Sequence, residues 1–188
     1  MSDQQPAQHL RPAEYVQPPE RVDGSIELAE HDPAWSAQCA DEQERIRAAL
    51  GSRALRLEHV GSTSVPGLSA KPVLDVVLVV TDPAQEAGYV PALQDLGYAL
   101  HVREPGWYAH RLLTGNDPAA NLHVFPPACP EVERMVRFRD FLRAHPQERD
   151  TYERTKRRLA AARWDRVQDY ADAKSSVVAD IQARAEED

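Results

Sequence analysis

The sequence lacks any run of apolar residues long enough to span a membrane, and its start lacks the apolar segment of a secretory signal. It has only two cysteines, Cys39 and Cys129, which are far apart and do not have the spacing of metal ligands. We therefore expect free thiols in a reducing compartment, and a cytoplasmic protein with no membrane partner.

Positive charge is also scarce. The chain has 22 Lys and Arg residues against 30 Asp and Glu residues, which gives a net charge of −8. Because such a surface repels the nucleic-acid backbone, nucleic acid is not expected as a partner, although a small basic patch would be compatible with this charge. Lysine occurs only at Lys71, Lys156 and Lys174.

The 188 residues, of which 42% are hydrophobic, are enough for one domain with its own core. Residues 1–24 are rich in proline, glutamine and charge and predict a flexible tail, which could dock a partner or assist a homodimer. Residues 25–188 are expected to form a single domain, with a sheet core over about 25–130 and a helical part over about 131–188.

Hydrophobic periodicity indicates an α+β fold, a small mixed β-sheet flanked by helices and followed by a helical C-terminal part. A helix is predicted from Asp32-Pro33 to Gly51, because the carboxylate can cap it and the glycine can end it. The other predicted helices cover 83–97 and 131 to the end, with breaks at His145-Pro146 and near Trp164. Strands are predicted at 26–28, 54–60, 73–80, 98–104, 108–113 and 121–126, with a hairpin connection at 114–120.

Asp75 lies inside the apolar strand predicted at 73–80, on the same face as Val77 and Val79. A buried carboxylate without a partner costs several kcal/mol. Asp75 is therefore expected to face a cleft, a cation or a partner, and the alternative is an Asp that pairs with an arginine or caps a loop.

The loop before this strand begins with Gly61, Ser62, Thr63 and Ser64. Glycine permits a close backbone approach, and successive amides with three hydroxyls form a cradle for an anion. Lys71 adds a positive charge between this loop and Asp75. A phosphate with a divalent metal needs such donors together with a hard carboxylate.

The stretch EHVGSTSVPGLSAKPVLDVVLVV at 58–80 resembles the signature of the GrpB family. The resemblance extends over about residues 25–185 and includes HRLLT at 110–114, NLHVF at 121–125, FRDFLRAHP at 138–146 and YADAK at 170–174. It implies a nucleotidyltransferase-superfamily fold, and the family is similar to an extra C-terminal domain of some bacterial dephospho-CoA kinases. Gly61 and Ser62 would be the superfamily's first motif and Asp75 its first acid.

The sequence departs from that pattern at the second acid, where Val77 cannot bind a metal. His123, which shares a face with Asn121 on the strand at 121–126, could replace it. Asp75 and His123 would then hold one divalent ion, Mg²⁺ or Mn²⁺, although imidazole suits Mn²⁺ or Zn²⁺ better than Mg²⁺. Alternatively, His123 only forms a hydrogen bond with Asp75. No organic cofactor is predicted.

Other polar residues have two interpretations each. His59 shares a face with Leu57 and is more typical of a core histidine, and Glu58 points the other way. One of His110 and Arg111 should face the cleft, and Arg111 would suit a phosphate. Lys174 could reach the cleft from the last helix or belong to a solvated face. The basic run at Arg154, Lys156, Arg157 and Arg158 is interpreted as a solvated face, and Tyr152 and Trp164 as packing residues.

Two functions follow as hypotheses. The first is an enzyme that binds a nucleotide or another phosphorylated small molecule and transfers a nucleotidyl group to a small acceptor, or that performs another transfer on the same scaffold. Its catalytic residues would be Asp75, His123 and Lys71, and its phosphate would be bound by Gly61, Ser62, Thr63, Ser64, Lys71, Arg111 and Lys174. The second is an inactive accessory or regulatory module that retains only the ligand pocket.

Overall fold

A mixed sheet of six strands lies at the centre of the protein. The computed structural model describes residues 12–18, 21–24 and 26–188. In chain order its strands are β1 (Glu14–Tyr15), β2 (Arg21–Gly24), β3 (Arg56–Val60), β4 (Leu74–Val79), β5 (Ala99–Glu104), β6 (His110–Asn116), β7 (Ala119–Phe125) and β8 (Trp164–Arg166). The main sheet has the order β1-β5-β6-β7-β4-β3, and β2 pairs with β8 in a separate two-stranded sheet. Among the described strands of the main sheet, only β4 and β7 run parallel to each other.

Helices cover both faces of the main sheet. They are α1 (Ala34–Leu50), α2 (Val90–Asp95), α3 (Pro130–Ala144), α4 (Pro146–Ala160), α5 (Val167–Ala173) and α6 (Ser175–Glu187). The alternating residues Leu74, Val76 and Leu78 of β4 pack against α1 and α2. Val77 and Val79 point the other way, towards Cys129 and α3. The predicted α+β architecture with a helical C-terminal part is therefore confirmed.

Most predicted elements are present with shifted ends. Asp32 Oδ1 accepts a hydrogen bond from Ala34 N at 2.8 Å and caps α1, and Gly51 follows its last residue with a φ of +58°. The predicted breaks in the C-terminal helices occur at His145-Pro146, between α3 and α4, and around Trp164, which begins β8. The hairpin connection is shorter than predicted, because β6 and β7 remain paired up to Asn116 and Ala119.

Two predicted elements were wrong. The helix at 83–97 is limited to a 3₁₀ turn at Glu86–Gly88 and the six residues of α2. Tyr89 has non-helical backbone angles, and Pro91 lies in the first turn of α2, where its missing N–H removes no helical bond. The strand at 26–28 is absent. Instead, Ile26 N donates to Ala160 O at 3.1 Å, and only Ala29 forms a bridge, to Ala70.

The described part of the predicted N-terminal tail contains β1, which pairs with β5, and β2, which pairs with β8. The structure does not describe residues 1–11, 19–20 and 25. The predicted start of the regular pattern, Ser25, is among them. Both cysteines are free, as predicted, and both are buried. In the described ranges, none of the helices is sufficiently long and apolar to cross a bilayer.

Candidate functional site

Asp75 is the second residue of β4, where it lies opposite Val60 on β3 and Asn121 on β7. Its carboxylate is on the face of the sheet that α3 covers, and 29% of the side chain is exposed. Asp75 therefore reaches solvent, whereas the neighbouring Val77 on the same face is fully buried.

Gly61 allows the loop before β4 to pass directly over Asp75. A Cβ atom placed on Gly61 would lie 2.1 Å from Asp75 Oδ2, and the residue has a φ of +67°. No side chain fits at that distance, and a positive φ strongly favours glycine. The glycine is therefore required by both its backbone conformation and its contact with the carboxylate.

Three side chains act on the Asp75 carboxylate. Asn121 Nδ2 donates to Asp75 Oδ1 at 2.9 Å, and His123 Nε2 lies 3.9 Å from the same oxygen. Burial raises the pKa of Asp75, but the interactions with His123 and Asn121 and the charge of Lys174 together lower it below its ordinary value. The carboxylate is consequently held in its ionised form.

His123 belongs to a chain of polar contacts that leads away from Asp75. Its Nδ1 lies 3.2 Å from His110 Nε2, and His110 Nδ1 lies 2.8 Å from Glu104 Oε2. His110 is only 3% exposed and stacks on Phe125 with ring centroids 4.6 Å apart. Burial lowers the pKa of His110 to about 4, despite the opposing effect of Glu104, so the imidazole is neutral.

Two lysines approach the site from the C-terminal part. Lys174, between α5 and α6, lies with Nζ 4.4 Å from the ring centroid of Tyr170. Burial lowers its pKa, and Asp75 opposes this effect. Lys156 on α4 is 1% exposed and donates to Ser69 O. Burial lowers the pKa of Lys156 to about 7, and the charge of Lys174 contributes in the same direction.

The hydroxyls of the 61–64 loop are largely used within the protein. Ser64 Oγ donates to Gly61 O at 2.6 Å, and Thr63 Oγ1 lies 3.0 Å from His59 Nε2. Ser62 interacts with the buried hydroxyl of Tyr152. The amides of Ser64 and Val65 donate to Gly61 O and Ser62 O. The loop is therefore a rigid turn that positions Gly61 and Ser62, and fewer of its donors are available to an anion than the sequence suggested.

Helix α3 fixes this turn from outside. Arg143 donates to Ser64 O through Nε and Nη2 at 3.0 and 2.7 Å. Arg139 donates to His59 O at 2.9 Å and to Glu58 Oε2 at 2.8 Å. Glu58 is thus tied to α3. His59 is partly buried and contacts Thr63, and burial lowers its pKa to about 4.

One predicted ligand residue, Arg111, is directed away from Asp75. Arg111 is on the opposite face of β6 from His110, is buried, and pairs with Glu86 at 2.6 Å. Of the two candidates on this strand, His110 therefore faces the site. Lys71 lies partly buried in the connection to β4, where its carbonyl accepts a bond from Val73 N at 2.7 Å.

The expected metal pair, Asp75 and His123, does lie together, but the donor set is small. Among the residues described, no group of three or more His, Cys, Asp or Glu side chains could hold a metal ion. Val77, where the sequence resemblance implies the superfamily's second acid, is opposite His123 and fully buried. These residues do not fit a two-metal centre, which needs clustered carboxylates.

Sequence reasoning missed Glu104 and misjudged Lys156. Glu104 lies opposite His110 in the β5–β6 pair, and this neighbour relation is known only once the strand register is known. Lys156 was interpreted as part of a solvated face, but it is buried. Tyr152, Lys156 and Ala160 recur every four residues and form the buried stripe of α4, so this spacing was the available signal.

Comparison with known proteins gives consistent matches. The family model described as GrpB protein matches residues 25–184. A UPF0157 protein of Halalkalibacterium halodurans is 55% identical over 161 residues, which cover 86% of this chain and 83% of that protein. A UPF0157 protein of Streptomyces coelicolor is 42% identical over 85% of this chain and 84% of its own length.

One solved structure and one longer protein are also similar to this chain. The crystal structure of conserved protein GrpB from Enterococcus faecalis has a TM-score of 0.73 and 28% identity, over 85% of this chain and 96% of that chain. A dephospho-CoA kinase of Mycolicibacterium paratuberculosis is 30% identical over 70% of this chain, but the match spans only 39% of the kinase.

The fold and the site define an α+β protein in which a mixed sheet presents one partly exposed aspartate between a glycine turn and a histidine pair. The chain belongs to the GrpB family.

Proposed function

We propose that this protein binds a phosphorylated small molecule, a nucleotide or a coenzyme A precursor, in the space bounded by Asp75, His123, Lys174 and Ser62. The observation that carries the proposal is the ionised Asp75, partly open to solvent, with the ammonium group of Lys174 acting on it. The lysine supplies a positive charge for a phosphate, and the charge of the carboxylate favours the ammonium form of the lysine. The similarity to a segment of dephospho-CoA kinases supports a ligand of this class.

The candidate reaction is the transfer of a nucleotidyl group to a small acceptor. Asp75 and His123 would hold the acceptor, and Lys174 would neutralise charge on the phosphate. A divalent cation bound here would have Asp75 as its carboxylate ligand and would depend on the phosphates of the nucleotide for further oxygens, which is the usual way in which Mg²⁺ is bound. Lys71 and Lys156 would add to the local positive potential.

A second candidate function is an accessory binding module without turnover. Two observations favour it: the second acid position is the fully buried Val77, and the hydroxyls of Thr63 and Ser64 are already used inside the protein. Such a module would bind the phosphorylated ligand and release no pyrophosphate.

A thermal-shift screen with ATP, GTP, CTP, UTP and coenzyme A, each with and without Mg²⁺ or Mn²⁺, tests the binding. A ligand at about 100 times its Kd stabilises the folded state by about 2.7 kcal/mol, which raises the Tm of a chain of this size by about 5–10 °C. Asp75→Asn and Lys174→Met should lose this shift. Arg184→Met, which breaks an exposed ion pair with Glu148 on the same C-terminal helices, should retain it.

Pyrophosphate release with a panel of acceptors then separates the two functions. Release that depends on Asp75 supports the transferase. Binding without release supports the accessory module, and the absence of any Tm shift from a cooperatively folded sample would count against both.

A further inference from the structure

Two of the lysines differ in how much of their hydrogen-bonding capacity is used inside the protein. An ammonium group has three N–H donors and no acceptor. Lys156 is 1% exposed and donates to Ser69 O, so part of its capacity is used by the fold. Lys174 is half-buried, and among the described residues its Nζ has neither a hydrogen-bond acceptor nor an ion-pair partner. No acceptor atom of the described residues therefore uses the donors of Lys174.

The short contact of the Lys174 ammonium group is with the face of an aromatic ring. Its Nζ lies 4.4 Å from the ring centroid of Tyr170, within the roughly 6 Å of a cation–π contact. The two residues are four positions apart at the end of α5, so they lie on the same side of that helix. At most one of the three N–H groups can point at the ring. The ring thus attracts the charge and leaves at least two donors for another group.

Tyr170 is held in place from several sides. Its side chain is 5% exposed and packs in one cluster with Ile26 and Ala160, and the ring of Trp164 lies at a centroid separation of 6.2 Å. Ile26 N donates to Ala160 O at 3.1 Å, which ties the segment before α1 to the end of α4. The ring of Tyr170 is therefore a fixed support for the lysine.

The hydroxyl group of Tyr170 takes no part in this support. Its oxygen is buried and has no hydrogen-bond partner among the residues that the structure describes. Burial raises the pKa of Tyr170 to about 12, so the hydroxyl group stays protonated and uncharged at neutral pH. A Tyr170→Phe variant therefore removes the hydroxyl group and retains the ring face that contacts Lys174.

We propose that Tyr170 is a positioning residue whose ring face holds the Lys174 ammonium group with its remaining donors directed at a phosphate group of the ligand. The charge of Lys174 acts on Asp75, so the ammonium group faces the candidate site. A phosphate group has several strong acceptor oxygens and matches a cation with at least two unused donors. This inference rests on the proposed function and adds how the lysine is presented to the phosphate.

The first test is NMR of the lysine side chains in the full chain without ligand. The chain has only three lysines, and Lys174→Met identifies the signals of Lys174. Its ε-methylene protons should lie upfield of those of free lysine, because they are close to the face of the Tyr170 ring. Tyr170→Phe should retain this shift and Tyr170→Leu should lose it. The signals of Lys156, which lies 5.0 Å from the ring centroid of Tyr152, should be unchanged in both variants and serve as the internal control.

The second test is the affinity for pyrophosphate, measured by titration of the same proteins. Tyr170→Leu should weaken binding by about 2- to 30-fold, which corresponds to the loss of one cation–π contact. Tyr170→Phe should bind as tightly as the wild type, and Lys174→Met should weaken binding at least as much as Tyr170→Leu.

Three results would overturn the inference. They are a Lys174 signal without an upfield shift in the wild-type protein, equal pyrophosphate affinity in the wild type and Tyr170→Leu, and a loss of affinity in Tyr170→Phe as large as in Tyr170→Leu. The first and the third do not require Tyr170→Leu to fold. Pyrophosphate binding that is lost in Lys174→Met but is unaffected by Tyr170→Leu would refute this inference and leave the proposed function in place. A wild-type protein that binds neither pyrophosphate nor any of the nucleotides would refute both.

Discussion

Replacement of Gly61 by alanine tests whether the turn over Asp75 is as tight as the structure indicates. The substitution has two costs. A residue with a side chain in this backbone conformation costs about 1–3 kcal/mol. The added Cβ would also lie 2.1 Å from Asp75 Oδ2 and 2.8 Å from Asp75 Cγ, and relieving such an overlap costs about 1–3 kcal/mol more. We expect a loss of about 2–6 kcal/mol in the free energy of unfolding.

Gly51 provides a matched control. It has a φ of +58°, close to that of Gly61, but a Cβ placed there meets no atom within 4 Å. Gly51→Ala should therefore incur only the backbone cost. Urea unfolding monitored by circular dichroism gives both free energies, and an unchanged m-value shows that the compactness of the two states is the same. The difference between the two variants should be at least about 1 kcal/mol.

A double-mutant cycle with Asp75→Ala isolates the contact itself. Removing the carboxylate relieves the closest overlap, so Gly61→Ala should cost less in the Asp75→Ala background, by about 1 kcal/mol or more. Two results would refute the close contact between the turn and Asp75. Either Gly61→Ala lowers the free energy of unfolding no more than Gly51→Ala does, or the two substitutions of the cycle have additive effects.

The remaining predictions concern charged side chains. Lys156→Met should stabilise the protein at pH 7 and below. The pKa of Lys156 is about 7 in the folded state, and about 10.4 when unfolded, so burial costs about 4 kcal/mol and the lost hydrogen bond to Ser69 O offsets about 1 kcal/mol. Between pH 7 and 10 the folded state binds fewer protons than the unfolded state, so the free energy of unfolding of the wild-type protein rises with pH. The stability difference between Lys156→Met and the wild type should therefore shrink over this range. A difference that does not change with pH in urea titrations would contradict this. Arg111→Met should lower the Tm because it breaks the ion pair with Glu86, and it should retain any ligand-induced Tm shift. Loss of that shift would show that Arg111 contributes to ligand binding.

The sequence predicts the sheet and the position of Asp75 because those features depend on local periodicity. The apolar run at 73–80 allows only a buried strand, and alternation then puts Asp75 on one face with Val77. The prediction of one helix over 83–97 was wrong because it also relied on local composition. Its composition is helical, but Gly88 and Pro91 interrupt the backbone, and the exact interruption depends on how Tyr89 packs against the core.

The details of the site could not be predicted because they depend on register and on distant segments. A shift of one residue in β6 would exchange His110 and Arg111 between the two faces, so the sequence left both as candidates. Glu104 becomes significant only once it is known to lie opposite His110. The burial of Lys156 depends on which face of α4 meets the loop that contains Ser69, a contact between residues 87 positions apart.

The C-terminal helices are part of the site, since they hold the loop that leads from Gly61 to β4 at several points. Arg143 binds Ser64 O and Lys156 binds Ser69 O, while Glu153 Oε2 accepts a hydrogen bond from Ser69 N at 3.1 Å. An isolated sheet core would leave this loop without those contacts, and a loop with few tertiary contacts opens readily. Lys174, whose charge acts on Asp75, also comes from this part. The glycine turn, the aspartate and the lysine are therefore brought together only when the sheet and the C-terminal helices fold against each other.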